Sequence, residues 1–257
     1  MSINILAIGD ISGPAGLNFL SQKLNSIQKH YDIAFTVANG ENASGLGLTP
    51  NQADEMLNVG VDVITLGNHV WSRREICNYL DDTKNILRPA NLAPQSPGRG
   101  WGEFESAFGT ICVINLIGRV GVPMESDNPF LEVDKILKKT ESKIILVDFH
   151  AETTSEKLAM AYHLDGKISA LWGTHTHVQT SDNRVLPNKT GYITDVGMTG
   201  VIESVIGMEI TQPIEHFLGN PTDRYKSATG PSKLEAAVFE IEETTGKCLS
   251  TEAIRIT

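Results

Sequence analysis

Five short apolar runs in this chain each stop abruptly in polar residues, and no other feature constrains the fold as tightly. Residues 3–9, 33–38, 61–66, 143–149 and 168–172 have the length of buried β-strands rather than of helices. Segments with a different period separate the first of them. Behind Pro14, Leu17, Leu20, Leu24 and Ile27 recur at helical spacing through Lys29, and Thr49-Pro50-Asn51-Gln52 is a capped helix start ahead of Ala53, Met56 and Leu57. Further helices are expected over 73–80 and 133–139, and from the box Thr153-x-x-Glu156 through Leu164. Later strands follow at 111–116, 192–196, 236–241 and 253–256. Residues 88–100 are a proline-rich loop, and 197–235 form a long excursion suited to a lid, a rim or a partner contact. Alternation first and strands later predict an α/β fold with a layered pair of sheets, read as one domain over 1–257.

The polar residues at the run ends carry the chemistry. Asp10 follows the first run, Glu41 and Asn42 the second, Asn68 and His69 the third, His150 the fourth, and His175 and His177 the fifth, where Gly173 is expected to supply the bend. Each alone has an ordinary role. Asp10 suits a helix N-terminus, Glu41, Asn42 and Asn68 suit turns, His69 a half-buried imidazole, and His150 the approach to a helix. Seven oxygen and nitrogen donors at five strand ends exceed what one zinc site needs. They suit two ions bridged by a carboxylate, an arrangement used for hydrolysis at phosphorus. His30, His163 and His216 lack that context, and Arg73, Arg74, Arg99 and Arg119 are candidate phosphate contacts weighed against plain surface charge.

Composition excludes other classes. The formal charge of −10 argues against a long nucleic-acid partner, although a small anion held by metal is compatible with it. No apolar run approaches a membrane span, and the N-terminus lacks a cationic lead, so no signal peptide is expected. Cys77, Cys112 and Cys248 have no paired spacing and read as incidental thiols of a reducing cytoplasm.

Gly9-Asp10, Gly67-Asn68-His69 and Gly173-Thr174-His175-Thr176-His177 resemble the motifs of the calcineurin-like metallophosphoesterase superfamily. Asn39-Gly40-Glu41-Asn42, Arg88-Pro89-Ala90-Asn91, the block Val147 to Lys157 and the block Thr194 to Gly200 are similar to one bacterial branch of it, the YmdB-like 2′,3′-cyclic-nucleotide 2′-phosphodiesterases. Ser12 stands where the superfamily has a histidine, and Glu41-Asn42 where most members have an aspartate. The branch shares both changes. Ser72 departs from an acidic residue common in the branch, which touches only an outer contact.

The resemblance implies a four-layer αββα metallophosphoesterase sandwich and a dinuclear, metal-dependent phosphodiesterase of the cytoplasm. One ion would be held by Asp10, Glu41, Asn42 and His177, the other by Glu41, Asn68, His150 and His175, with Glu41 as bridge. His69 matches the position that protonates the leaving oxygen. The ions are divalent or trivalent, iron ahead of manganese or zinc. The substrate is a 2′,3′-cyclic nucleotide cleaved at its 2′ bond, or a related small phosphodiester. A phosphomonoesterase or nuclease on the same ions and a non-catalytic metal-dependent regulator are the rivals. No membrane partner is expected, and self-association as a homo-oligomer is left open.

Overall fold

The computed structural model describes residues 1–257. In chain order the first half comprises β1 (Ser2–Ile8), β2 (Asp10–Ile11), α1 (Gly13–His30), β3 (Ile33–Asn39), α2 (Pro50–Asn58), β4 (Val63–Thr65), α3 (Ile76–Asp82), β5 (Ile86–Leu87), β6 (Trp101–Ser106) and β7 (Gly109–Ile117). The second comprises α4 (Pro129–Leu137), β8 (Ile144–His150), α5 (Thr154–Leu164), β9 (Ala170–Thr174), β10 (Arg184–Val185), β11 (Gly191–Ile193), β12 (Met198–Val201), α6 (Thr211–Phe217), β13 (Ser232–Glu242) and β14 (Cys248–Ile256). One sheet has the order β2-β12-β13-β1-β3-β4-β5, with β14 also paired to β13, and the other has the order β10-β11-β9-β8-β7-β6.

Side-chain alternation along the strands accounts for the layers. In β1, Leu6 and Ile8 face the helices α1 and α2, where they meet Leu20, Leu24 and Met56. Ile5 and Ala7 face the second sheet, where Phe35 and Val37 join Val113, Leu146 and Trp172. The outer face of the second sheet, with Ile114, Val147 and Leu171, is covered by Met160 and Leu164 of α5 and Val133 of α4. Three apolar interiors between four layers give the αββα sandwich that the resemblance implied. Strands buried on both faces have no polar side to show, hence the unbroken apolar runs. No helix is long and apolar enough to cross a membrane.

Local departures have physical causes. Residues 73–75 are not helical, and Arg73 instead reaches the loop after β3, donating from Nε to Ser44 Oγ at 2.9 Å and from a terminal nitrogen to Ser44 O at 3.2 Å. The capping box forms at Thr49 but not at Thr153. The Glu156 carboxylate is taken by the backbone N–H groups of Arg119 at 3.0 Å and Val120 at 3.3 Å. β5 and β6 went unread in the sequence because they flank the proline-rich loop, and β6 is a half-exposed edge strand with Gly102, Glu103 and Glu105 along it. The excursion 197–235 is partly ordered by β12, α6 and the start of β13.

Candidate metal centre

Parallel strands of both sheets deliver the predicted residues to one place. β2, β3 and β4 carry Asp10, Glu41 with Asn42, and Asn68 with His69. β8 and β9 carry His150 and the segment His175 to His177. Asp10, Glu41, Asn42, His150 and His177 are buried, while Asn68, His69 and His175 are half-buried. Gly67 is required by packing, since a Cβ there would lie 2.3 Å from His150 Nε2 and 2.4 Å from Glu41 Oε2. Gly173 does not make the expected bend. It lies within β9, where a Cβ would meet Thr194 O at 1.9 Å, and the chain turns instead at His175 (φ 98°) and His177 (φ 62°). Both have left-handed backbone, a conformation costly for non-glycine residues and frequent at functional sites.

Two clusters share Glu41. In the first, His150 Nε2 lies 3.0 Å from Asn68 Oδ1, 3.1 Å from Glu41 Oε1 and 3.1 Å from His175 Nδ1. In the second, His177 Nε2 lies 3.2 Å from Asn42 Nδ2 and 3.7 Å from Asp10 Oδ1, a buried oxygen without a hydrogen-bond partner. Asn42 Nδ2 also donates to Glu41 Oε1 at 3.2 Å. The amide thus turns its nitrogen to this side, and an oxygen contact there requires the opposite amide orientation.

The outward ring nitrogens explain how the imidazoles are held. His150 Nδ1 meets Thr174 Oγ1 at 2.9 Å, and that hydroxyl donates to Asp148 at 2.8 Å. His175 Nε2 meets Glu152 at 3.1 Å, and His177 Nδ1 donates to Ile206 O at 2.9 Å. With each outer nitrogen engaged, each inner nitrogen has its lone pair facing the cluster, the usual way in which metal sites fix the tautomer and orientation of their histidines. Lone pairs and carboxylate oxygens crowded at about 3 Å repel one another unless a proton or a cation lies among them. The donor set fits metal ions, and the ligand atoms of Glu41, His150 and His175 all lie within 4.8 Å of one another.

In the protein alone a proton takes that place. Burial works against charge on Glu41, but the adjacent His150 imidazolium overcomes it and pulls the carboxyl down to about 2. Burial likewise disfavours the His150 cation, yet the charge and hydrogen bond of Glu41, then Asp10 and Asp148, lift it to about 9. His175 goes the other way, to about 3, through burial and the neighbouring His150 charge. Burial raises the Asp10 carboxyl despite the nearby His177 and His150.

Sequence reading missed the support for the histidine segment. Asp195 accepts hydrogen bonds from Thr176 N at 3.2 Å, Thr176 Oγ1 at 2.8 Å and Gly197 N at 2.9 Å, and pairs with Lys157 Nζ at 2.7 Å. Lys157 lies on α5 and is fully buried. Lys157 and Asp195 both fall inside blocks that carry the family resemblance, Val147 to Lys157 and Thr194 to Gly200, and that was the available signal. Lys157→Met strands the Asp195 charge in the interior and is expected to cost about 3–5 kcal/mol. Urea denaturation checks this, and a midpoint equal to wild type would contradict it.

A cavity of about 320 Å³ opens on the cluster, with Glu41, Asn42, His69, His175 and His177 among its lining. His69 Nε2 lies 3.3 Å from Asn68 Nδ2. Arg73, Arg74, Arg99 and Arg119 do not line this cavity. His163 pairs with Asp134 at 3.0 Å, as suits a structural residue.

The chain as a whole is similar to known proteins. The sequence model of the YmdB-like protein family matches residues 6–254. A 2′,3′-cyclic-nucleotide 2′-phosphodiesterase of Bacillus subtilis (strain 168) is 41% identical over 257 residues, covering 99% of this chain and 97% of that protein. The crystal structure of a phosphatase from Mycoplasma pneumoniae superposes with a TM-score of 0.94 at 35% identity, over 100% of this chain and 94% of the other. A hypothetical protein of Thermus thermophilus superposes with a TM-score of 0.92 at 35% identity, over 99% of each chain.

Proposed function

The chain belongs to the YmdB-like family, and on that premise we propose that it is a phosphodiesterase that hydrolyses 2′,3′-cyclic nucleotides at the 2′ bond and leaves the 3′-nucleotide. The observation that carries the reading is the convergence of Glu41, Asn68, His150 and His175 on one point, with the outward nitrogens of His150 and His175 already engaged.

We assign one ion to Asp10, Glu41, Asn42 and His177 and the other to Glu41, Asn68, His150 and His175. Iron is the metal of this reading, and manganese or zinc suit the same donors. Such ions, when bound, acidify water near neutral pH and draw charge from phosphoryl oxygens. The residues do the rest. Glu41 offsets the positive charge, and the three histidines keep their lone pairs aimed inward. His69, facing the same cavity, gives a proton to the departing 2′ oxygen, an alkoxide that leaves poorly without one. The net charge of −10 favours a small substrate over a long nucleic acid. Residues 1–257 act as one cytoplasmic domain in this reading.

The test is metal analysis of protein purified without added metal, together with identification of the product from a 2′,3′-cyclic nucleotide. Two ions per chain and a 3′-nucleotide are expected. Free phosphate as the only product would mark a monoesterase, and one ion or none, with no turnover after reconstitution, would sink the reading.

Metal uptake must displace the proton that His150 holds below about 9. Below that pH the proton competes, so apparent affinity falls as pH falls, by about tenfold per unit for one proton, and levels off above it. Equilibrium dialysis with manganese across this range checks the slope, and a flat profile would contradict it.

A further inference from the structure

The cavity over the candidate metal centre is chemically divided. Glu41, His69, His175 and His177 are polar, whereas Val205, Ile206, Met208, Pro213, Phe217 and Tyr225 make an apolar wall, all from the excursion between β12 and β13. The wall is latched to the centre, because Ile206 O accepts the hydrogen bond from His177 Nδ1 at 2.9 Å. Ile206 has φ 47°, a left-handed conformation that a β-branched side chain adopts only when its surroundings hold it there.

Folding alone does not account for these side chains. Phe217 is 84% exposed, Ile206 52% and Tyr225 39%, and Ile210, Ile214 and Leu218 of the same excursion are exposed beside them. An apolar surface left in water beside a polar centre marks a binding site. Its chemistry narrows the ligand. The wall has two aromatic rings and aliphatic groups, the Tyr225 hydroxyl is its one side-chain hydrogen-bonding group, and it contains no amide, carboxylate or guanidinium to read the edge of a base. A cavity of about 320 Å³ continuous with the centre is sized for a small molecule rather than for a protein segment.

We propose that Val205, Ile206, Met208, Pro213, Phe217 and Tyr225 form a base-stacking wall that gives the centre its preference for nucleotides over other phosphodiesters, with little discrimination among bases. This deepens the cyclic-nucleotide reading and rests on it. A phosphate over ions held by Glu41, His175 and His177 would leave the ribose and base to lie along the remaining lining, and that lining is the wall. Stacking on an aromatic ring tolerates every base, since each has a π-face. Purines gain more than pyrimidines because they cover more of the wall.

The experiment compares metal-loaded wild type with Phe217→Ala, Tyr225→Ala and Phe217→Trp. Calorimetry gives Kd for adenosine 3′-monophosphate, cytidine 3′-monophosphate and inorganic phosphate. The preference for nucleotide over phosphate is expected to fall about tenfold in each alanine variant, within the range for loss of one stacking partner, and to be kept in Phe217→Trp. Phe217 is exposed, so its truncation leaves the fold intact. Unchanged preference in both alanine variants would overturn the proposal, as would a strong preference between the two bases that survives in them. A change in sedimentation mass on Phe217→Ala with no change in preference would assign the wall to contact with a second copy, against the proposal. Binding reads the wall independently of turnover. Absent hydrolysis with a selective loss of nucleotide affinity would remove the proposed reaction and keep the wall.

Discussion

Glu41→Gln is expected to strip the protein of its ions and of its activity together. The substitution keeps length and shape, but it removes the one negative charge common to both clusters and replaces an acceptor oxygen with an amide donor. Glu41 Oε1 lies 3.1 Å from His150 Nε2, and Oε2 accepts the His69 backbone N–H at 3.1 Å. Losing an outer partner of a metal ligand already costs about 10- to 100-fold in affinity, so losing a ligand shared by two ions should exceed about 100-fold. Metal content should fall from two ions per chain, and turnover with it. The fold should survive. Once Glu41 is neutral, the His150 imidazolium loses its main support, and Asp10 and Asp148 remain as the carboxylates that favour it. Metal analysis, turnover and thermal unfolding on the same preparation check this. A variant that kept both ions and near-normal turnover would return Glu41 to the status of a turn residue.

The layers and the strand ends were legible because both depend on local pattern. β1, β3 and β8 are buried on both faces, which writes an unbroken apolar run followed by a polar stop. The residue after such a stop faces the mouth of the sheet, so Asp10, Glu41 and His150 stood out together. Contacts between distant elements leave no such mark. Lys157 is one cation in an ordinary helix, and only the tertiary fold aligns it with Asp195 on the segment that carries His175 and His177. Glu152 had no role in the sequence pattern, yet its carboxylate pairs with His175 at 3.1 Å. Gly173 was misread for a related reason. A glycine before a turn looks like the hinge, whereas here the demand comes from Thr194 O pressing on its α-carbon face across the strands.

The apolar wall was the least legible part. Ile206, Phe217 and Tyr225 are scattered over a segment with no sustained period, and a single apolar residue in a loop carries no information by itself. The structure brings them to the cavity that also holds His69, and the combination is what gives them meaning.

His69→Ala separates a proton donor from a residue that shapes the pocket. The side chain lines the cavity, and its Nε2 lies 3.3 Å from Asn68 Nδ2. The hydrogen bond to Glu41 comes from the His69 backbone, which alanine retains, so both ions should stay bound. With a 2′,3′-cyclic nucleotide the leaving group is a sugar alkoxide, and loss of a general acid should slow turnover by roughly 10² to 10⁴. A nitrophenyl phosphodiester leaves as a stable anion that needs little help from a proton. The same substitution should therefore cost far less on that substrate. Equal losses on both substrates at unchanged metal content would mean that His69 positions the phosphate or stabilises its charge. The proton for the departing oxygen would then have to come from another group.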